Sequence, residues 1–228
     1  MKLCVQGSCG RMGREVIRAA SSATGFEVAS CVETPDHPQL GGDMGTLAGL
    51  GPTGIDVTSD LEVALAGCDV IVDFSTVEGT ESLARALLKT PRPAVVAVTA
   101  LPASVLDDLE KAAVSAPVMV ASNLSLGAAV LRLLSASAAR ALSDFDAEIV
   151  EMHHTAKVDA PSGTAMDIAA EVARARGLEP EEAIVYGRRP GEGRRESASV
   201  GVHAVRGGTV AGEHQVMLLG QNERVVLS

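Results

Sequence analysis

The sequence has few aromatic residues: no tryptophan, one tyrosine and three phenylalanines in 228 positions. A chain of this length can bury a sizeable core, which must then be aliphatic, built from Val, Leu, Ile and Ala. Positive charge is also in deficit, with 19 Lys and Arg against 29 Asp and Glu and a formal net charge of −10. Lacking both rings for stacking and a basic surface, the chain is a poor match for a nucleic acid. Its acidity reads as solubility. No apolar run reaches membrane-spanning length. The N-terminal MKLCVQGSCGRMG meets glycine before any apolar run long enough for a signal peptide. The cysteines are Cys4, Cys9, Cys31 and Cys68. They lack metal-ligand or redox spacing, so reduced thiols and a cytoplasmic location are expected. There is no internal repeat or low-complexity tract.

What is present is alternation. With 46% hydrophobic and 21% charged residues the chain is globular. Up to about residue 124, short apolar runs at Lys2–Gln6, Glu27–Val32, Asp69–Phe74, Ala94–Thr99 and Pro117–Ala121 alternate with helical patterns. Gly13, Val16, Ile17 and Ala20 recur on one helix face. Further helices are expected at Asp60–Ala66, Val77–Lys89 and Ala103–Ser115. Strands this continuously apolar, interleaved with helices, predict a parallel sheet covered on both faces. The pattern then changes. A long helix over Ser125–Ser143, a strand at Ala147–Met152 and a helix near Gly163–Arg176 lead to strands at Ser199–Val205, Glu213–Leu219 and Arg224–Leu227. No helices separate those last strands. The expectation is a Rossmann-type, doubly wound α/β domain over residues 1–124. A second α+β domain with a mixed or antiparallel sheet follows over 125–228.

The first strand runs into Gly7-Ser8-Cys9-Gly10-Arg11-Met12-Gly13, a G-x-x-G-x-x-G variant of the dinucleotide-binding fingerprint. Small residues let backbone approach a pyrophosphate, and the following helix offers free N–H groups and a positive dipole end. Glycines also collect in any tight strand-to-helix turn, but here the second strand ends in Glu33, placed to accept hydrogen bonds from the adenosine ribose. Thr34 follows, and no neighbouring cation stands ready for a 2′-phosphate. NADH is therefore the expected cofactor ahead of NADPH.

A second concentration of chemistry lies at 151–165, EMHHTAKVDAPSGTA. The preceding strand delivers His153 and His154 to its exit, Pro161 and Gly163 punctuate a turn, and Ser162 is a candidate N-cap. The next helix shows Ala165, Ile168, Ala169, Val172 and Ala173 on one face. His153, His154, Lys157 and the N–H groups of Gly163–Thr164 are expected around one anion pocket, with a histidine to exchange a proton near neutral pH. Zinc is not expected, because no third Cys, His or paired carboxylate stands at ligand spacing. The Arg188–Arg195 loop reads as a solvent loop or subunit contact rather than a phosphate site.

Together GSCGRMG, DFS (Asp73–Ser75), NLSLG (Asn123–Gly127), EMHHTAKVDAPSGTA, GRRPGEGRR and GVHAVRGGTVAGEH (Gly201–His214) resemble the dihydrodipicolinate reductase family, in its order and along almost the whole chain. The resemblance implies NAD(P)H-dependent reduction of 4-hydroxy-tetrahydrodipicolinate to tetrahydrodipicolinate, on the diaminopimelate route to lysine. It puts the acid/base on His153, with Lys157 binding a substrate carboxylate and assisting proton donation. His154, Gly163 and Thr164 are implied to contact substrate. The cofactor falls to Gly7, Ser8, Cys9, Gly10, Arg11, Met12, Glu33, Ala97, Val98, Thr99, Ala121, Ser122, Asn123 and Leu124. A homotetramer built through the second domain, and a hinge near Asn123–Gly127, are also implied.

The chain departs from the family pattern in three places. Ala97-Val98-Thr99-Ala100 stands where the family has Gly-Thr-Thr-Gly, losing one hydroxyl, adding bulk and removing glycine freedom. Asn123-Leu124-Ser125 replaces Asn-Phe-Ser. The chain stops at Ser228 inside an apparent strand, where the family continues back to the first domain, so a truncated sequence is expected. Val98 and that end motivate an alternative, a catalytically impaired nucleotide-binding homologue or fragment. A different two-domain dehydrogenase is disfavoured by the His153–Thr164 segment.

Overall fold

The computed structural model describes residues 1–191 and 193–228; Glu192, within the Arg188–Arg195 loop, lies outside them. The chain forms two compact units, Met1–Ser122 and Asn123–Ser228.

The first unit runs β1 (Lys2–Gln6), α1 (Arg11–Ser22), β2 (Glu27–Val32), α2 (Met44–Leu47), β3 (Val57–Thr58), α3 (Leu61–Ala66), β4 (Val70–Asp73), α4 (Val77–Lys89), β5 (Ala94–Val96), α5 (Ala103–Ala113) and β6 (Val118–Val120). Its strands lie in the order β3-β2-β1-β4-β5-β6, all parallel. This is the doubly wound, Rossmann-type arrangement, and its order reverses between β1 and β4, the switch point beyond whose strand ends sheets of this kind take ligands. Alternation along β1 explains the two-sided core. Leu3 and Val5 pack with Ile17, Val28, Cys31 and Met44 on one face, while Cys4 packs with Leu65, Ile71, Leu83 and Leu109 on the other. The strands expected at Asp69–Phe74, Ala94–Thr99 and Pro117–Ala121 are each trimmed, because their outer residues leave the sheet to turn. The short α2 and β3 carry no readable period. The Asp43 carboxylate organises them, accepting from Thr46 N at 2.8 Å, Thr53 N at 2.9 Å and Gly54 N at 2.7 Å.

The second unit runs α6 (Leu126–Ala141), β7 (Asp146–His153), α7 (Gly163–Ala175), α8 (Pro180–Ala183), β8 (Ile184–Tyr186), β9 (Val200–Arg206), β10 (Glu213–Leu219) and β11 (Arg224–Leu227). The sheet order is β11-β10-β7-β9-β8. Pairing is antiparallel from β11 through β10 to β7 and parallel from β7 through β9 to β8, so the sheet is mixed. The apolar face of α7, Ala165, Ile168, Ala169, Val172 and Ala173, is fully buried against Ala147 and Ile149 of β7, Val200 and Val202 of β9, and Val216 and Leu218 of β10. Burying each of the larger side chains contributes about 1.5–3 kcal/mol. The opposite face of β7 carries Glu148, which accepts from Arg195 Nε at 2.8 Å, from His203 Nε2 at 2.7 Å and from Arg188. That cluster pins the Arg188–Arg195 loop to the sheet. Among the described residues, no helix is long and apolar enough to cross a membrane.

Candidate active site

The glycine loop closes tightly over the end of β1. Gly7 has φ +71°, and a Cβ there would lie 2.6 Å from the Phe74 carbonyl oxygen at the end of β4. A Cβ on Gly13 would strike the Gly7 carbonyl, so α1 can approach the loop only through glycine. Gly10 caps α1 without a side-chain bond, and Gly10, Arg11 and Met12 are exposed, leaving helix N–H groups toward solvent. Gly7 N and Ser8 N both donate to the Val32 carbonyl, tying the loop to β2. Glu33 Oε1 accepts from Cys9 N at 2.8 Å. The expected ribose acceptor therefore also holds the loop. Arg14 donates to the Cys9 carbonyl and to Gln39, a cation near the loop that its position inside a helix concealed.

Cys9, Glu33 and His37 each bring a potential ligand atom within 4.8 Å of the others. Burial, followed by the Glu33 charge, pushes the Cys9 thiol up. His37 Nδ1 is occupied by Gln39 N–H at 3.2 Å. Hydrogen bonding to Cys9 N and Gln39 N accounts for the Glu33 carboxylate and the His37 ring without an ion.

In the first unit Ala97, Val98, Thr99, Ala121 and Ser122 follow the ends of β5 and β6. Val98 packs its side chain against the aliphatic core. Ala100 has φ +57°, a left-handed conformation that glycine adopts freely and alanine does not. Ala97 has no such φ.

The second unit's site begins with the alternation of β7. Ala147, Ile149, Glu151 and His153 share one face, so the apolar core gives way to charged chemistry as the strand ends. Glu151 is fully buried. Its carboxylate faces His153 Nδ1 at 2.6 Å and accepts from Arg206 Nη1 and Nη2, each at 2.8 Å, and from Ser162 N at 3.0 Å. Burial works against its charge, but the bonds from Arg206, His153 and Ser162 more than offset that and hold the carboxyl below its ordinary range. Ser162 caps α7, accepting from Ala165 N at 3.3 Å, and lies 3.0 Å from His214 Nε2. The His214 and His153 rings meet edge to face at 5.3 Å. Burial, then the His153 ring, lowers the His214 pKa, which favours a neutral ring accepting from the Ser162 hydroxyl.

Within the capped first turn, Gly163 and Thr164 present N–H groups that have no partner inside the helix. The Thr164 hydroxyl accepts from Asn123 Nδ2 at 2.9 Å, and Asn123 Oδ1 accepts from Ser125 N at the start of α6. Leu124, between them, is exposed. Lys157 Nζ pairs with Asp159 Oδ1 at 2.8 Å. A cleft of about 940 Å³ is lined by Asn123, Ser125, Met152, His153, Gly212 and His214, among others. Of the second-unit residues expected at the site, His153 and Asn123 line this cleft, while Leu124, His154, Lys157, Gly163 and Thr164 do not. Sequence reading missed Glu151, Arg206, Gly212 and His214 as site residues. The one local signal was Glu151 two positions before His153 on a strand.

A Rossmann-type sheet with a glycine loop, joined to a mixed sheet ending in a buried Glu–His pair met by a half-buried arginine, defines a class: two-unit α/β oxidoreductases with a nucleotide-binding first unit. Within that class, the family model described as dihydrodipicolinate reductase, N-terminus, matches residues 1–124, and the one described as its C-terminus matches residues 127–228. The chain belongs to the dihydrodipicolinate reductase family. It is 39% identical over 228 residues to the 4-hydroxy-tetrahydrodipicolinate reductase of Alkalilimnicola ehrlichii, covering 100% of this chain and 85% of that one. It is 42% identical over 231 residues to the enzyme of the same name from Rhodopseudomonas palustris, covering 100% and 84%. Among solved structures, a dipicolinate-bound dihydrodipicolinate reductase from Paenisporosarcina sp. TG-14 superposes with a TM-score of 0.73 at 24% identity, covering 100% of this chain and 86% of that chain.

Proposed function

We propose that this chain is a 4-hydroxy-tetrahydrodipicolinate reductase, reducing its substrate to tetrahydrodipicolinate on the diaminopimelate route to lysine. Family membership across both units carries this reading. The residues of the first unit fit a pyridine nucleotide, since the loop tolerates no Cβ at Gly7 or Gly13 and α1 opens without a side-chain cap. When bound, the reduced nicotinamide supplies the hydride. Gly7–Met12 hold the pyrophosphate, and Glu33 receives the adenosine ribose. Ala97, Val98, Thr99, Ala121, Ser122, Asn123 and Leu124 flank the rest of the cofactor. NADH is preferred over NADPH, because Thr34 rather than a cation follows Glu33, and Arg14 beside the loop is already engaged by Cys9 O and Gln39.

The substrate is a dicarboxylate, so it needs two anion holders. The first turn of α7, at Gly163 and Thr164, supplies one. Lys157 supplies the other by exchanging Asp159 for a substrate carboxylate, with His154 beside it. The substrate's 4-hydroxyl leaves as water, and His153 delivers the proton that the reduced ring takes up. The face of the second sheet opposite α7 carries Val150, Met152, Val205, Met217 and Val226. Its exposed Val205 and Val226 support a homotetramer formed through this unit.

The test is oxidation of NADH and of NADPH by this chain with enzymatically generated 4-hydroxy-tetrahydrodipicolinate. Turnover with a higher kcat/KM for NADH is expected. Tight nucleotide binding without turnover would replace this reading with the impaired homologue, and higher kcat/KM with NADPH would overturn the cofactor preference.

A further inference from the structure

The environment of Glu151 specifies more than a salt bridge. The carboxylate is fully buried and ionised, hence an acceptor at both oxygens. His153 Nδ1, 2.6 Å away, must then carry a hydrogen and donate it. This fixes the tautomer: the neutral ring has a bare Nε2, and the protonated ring carries its transferable proton there. The Nε2 edge is kept clear. Gly212 has φ +154°, and a Cβ on it would lie 2.8 Å from Nε2 and 3.1 Å from Cδ2. Both His153 and Gly212 line the cleft. Arg206, from the adjacent strand β9, balances the buried charge with two bonds to the carboxylate. The other charged or titratable groups around the ring are His214 on β10 and the Lys157–Asp159 pair after β7.

We propose that Glu151 is a positioning residue: balanced by Arg206, it locks His153 in the Nδ1–H form and aims Nε2 at the cleft, beside a position that only glycine leaves open. Proton transfer then passes through Nε2 alone. This deepens, and rests on, the assignment of His153 as the proton donor.

The direct test is nitrogen-15 NMR of the whole chain labelled at histidine, with the His153 signals assigned by their loss in His153→Ala. In the neutral ring, Nδ1 is expected to be the protonated nitrogen and Nε2 the bare one. The reverse pattern overturns the proposal. Glu151→Gln keeps the shape and an acceptor oxygen but removes the charge. Its kcat is expected to fall at least about tenfold, and the Nδ1–H form to lose its dominance in the nitrogen-15 spectrum, because a neutral amide can donate to Nδ1 as well as accept from it. Nucleotide affinity should stay unchanged. A folded Glu151→Gln with native kcat and the native tautomer pattern would make Glu151 a mere pin between strands and sink the proposal. Should that variant fail to fold, the tautomer measured on the native chain decides alone. His153→Ala with full turnover would defeat the proton-donor reading while leaving the tautomer result standing, so the two failures are distinguishable.

Discussion

The two units build their sites from different materials. The first uses backbone: glycines that let a loop, a strand end and a helix meet, with Glu33 as the one carboxylate tied into the loop. The second uses buried side chains, with Glu148 and Glu151 on opposite faces of β7: Glu148 is held by Arg188 and Arg195 of the loop and His203 of β9, and Glu151 by Arg206 of β9 and by His153 of its own strand. A site of backbone amides tolerates changes of side chain but not of Cβ content. A site of buried charges tolerates neither a lost partner nor a changed protonation state.

Removing a partner from the second unit should therefore have the largest effect on stability. Glu148→Ala leaves Arg188, Arg195 and His203 facing an empty space, and a broken buried pair costs about 3–5 kcal/mol. Chemical denaturation followed at Tyr186, the single tyrosine, reports this unit. An unchanged midpoint would show that the cluster does not hold the sheet. The matching change in the first unit is Gly7→Ala, which forces alanine to positive φ and against the Phe74 carbonyl. It should cost about 2 kcal/mol or more and abolish tight nucleotide binding, while leaving the Tyr186 transition in place.

Acid should separate the units by sign. The Glu148 and Glu151 pKa values are lowered, burial being outweighed by their bonds to arginine and histidine. Their stabilisation is present above the ordinary glutamate value, and is lost as pH falls below it through their folded values. Asp73, buried at the end of β4, has its pKa raised, chiefly by burial. Its charge costs stability at neutral pH, and that cost disappears as pH falls through its folded value. The half-buried Asp43, held at about 2 by the Thr46, Thr53 and Gly54 N–H groups, gives way only in stronger acid. As pH falls below the ordinary glutamate range the second unit should loosen first. Hydrogen exchange of β7 and β9 amides rising before those of β1 and β4 is the expected result; the reverse order would contradict it. The smallest effect should come from Ala100→Gly. It relieves a left-handed alanine and should stabilise the first unit by about 1 kcal/mol, read as a raised Tm.

The same contrast explains what could be read in advance. β1, β2, α4, β10 and β11 were legible to the residue because a sustained apolar pattern marks each one. α2, β3, α8 and β8 were missed, because two to four residues carry no period. The glycine loop and the segment containing His153 are local patterns, and both could be read directly. Glu151 could not be paired with Arg206, 55 residues away, nor Ser162 with His214, 52 residues away. Only the register of β7 with β9 and β10 brings them together. Val98 was expected to add bulk where the family has a threonine, and its side chain packs that bulk against the aliphatic core.

The account stands or falls on His153. Steady-state oxidation of NADH with enzymatically generated 4-hydroxy-tetrahydrodipicolinate, measured side by side for the native chain and His153→Ala, tests it most directly. The account predicts that kcat falls about 100-fold or more with nucleotide affinity unchanged. A His153→Ala variant that turns over at the native rate would contradict it.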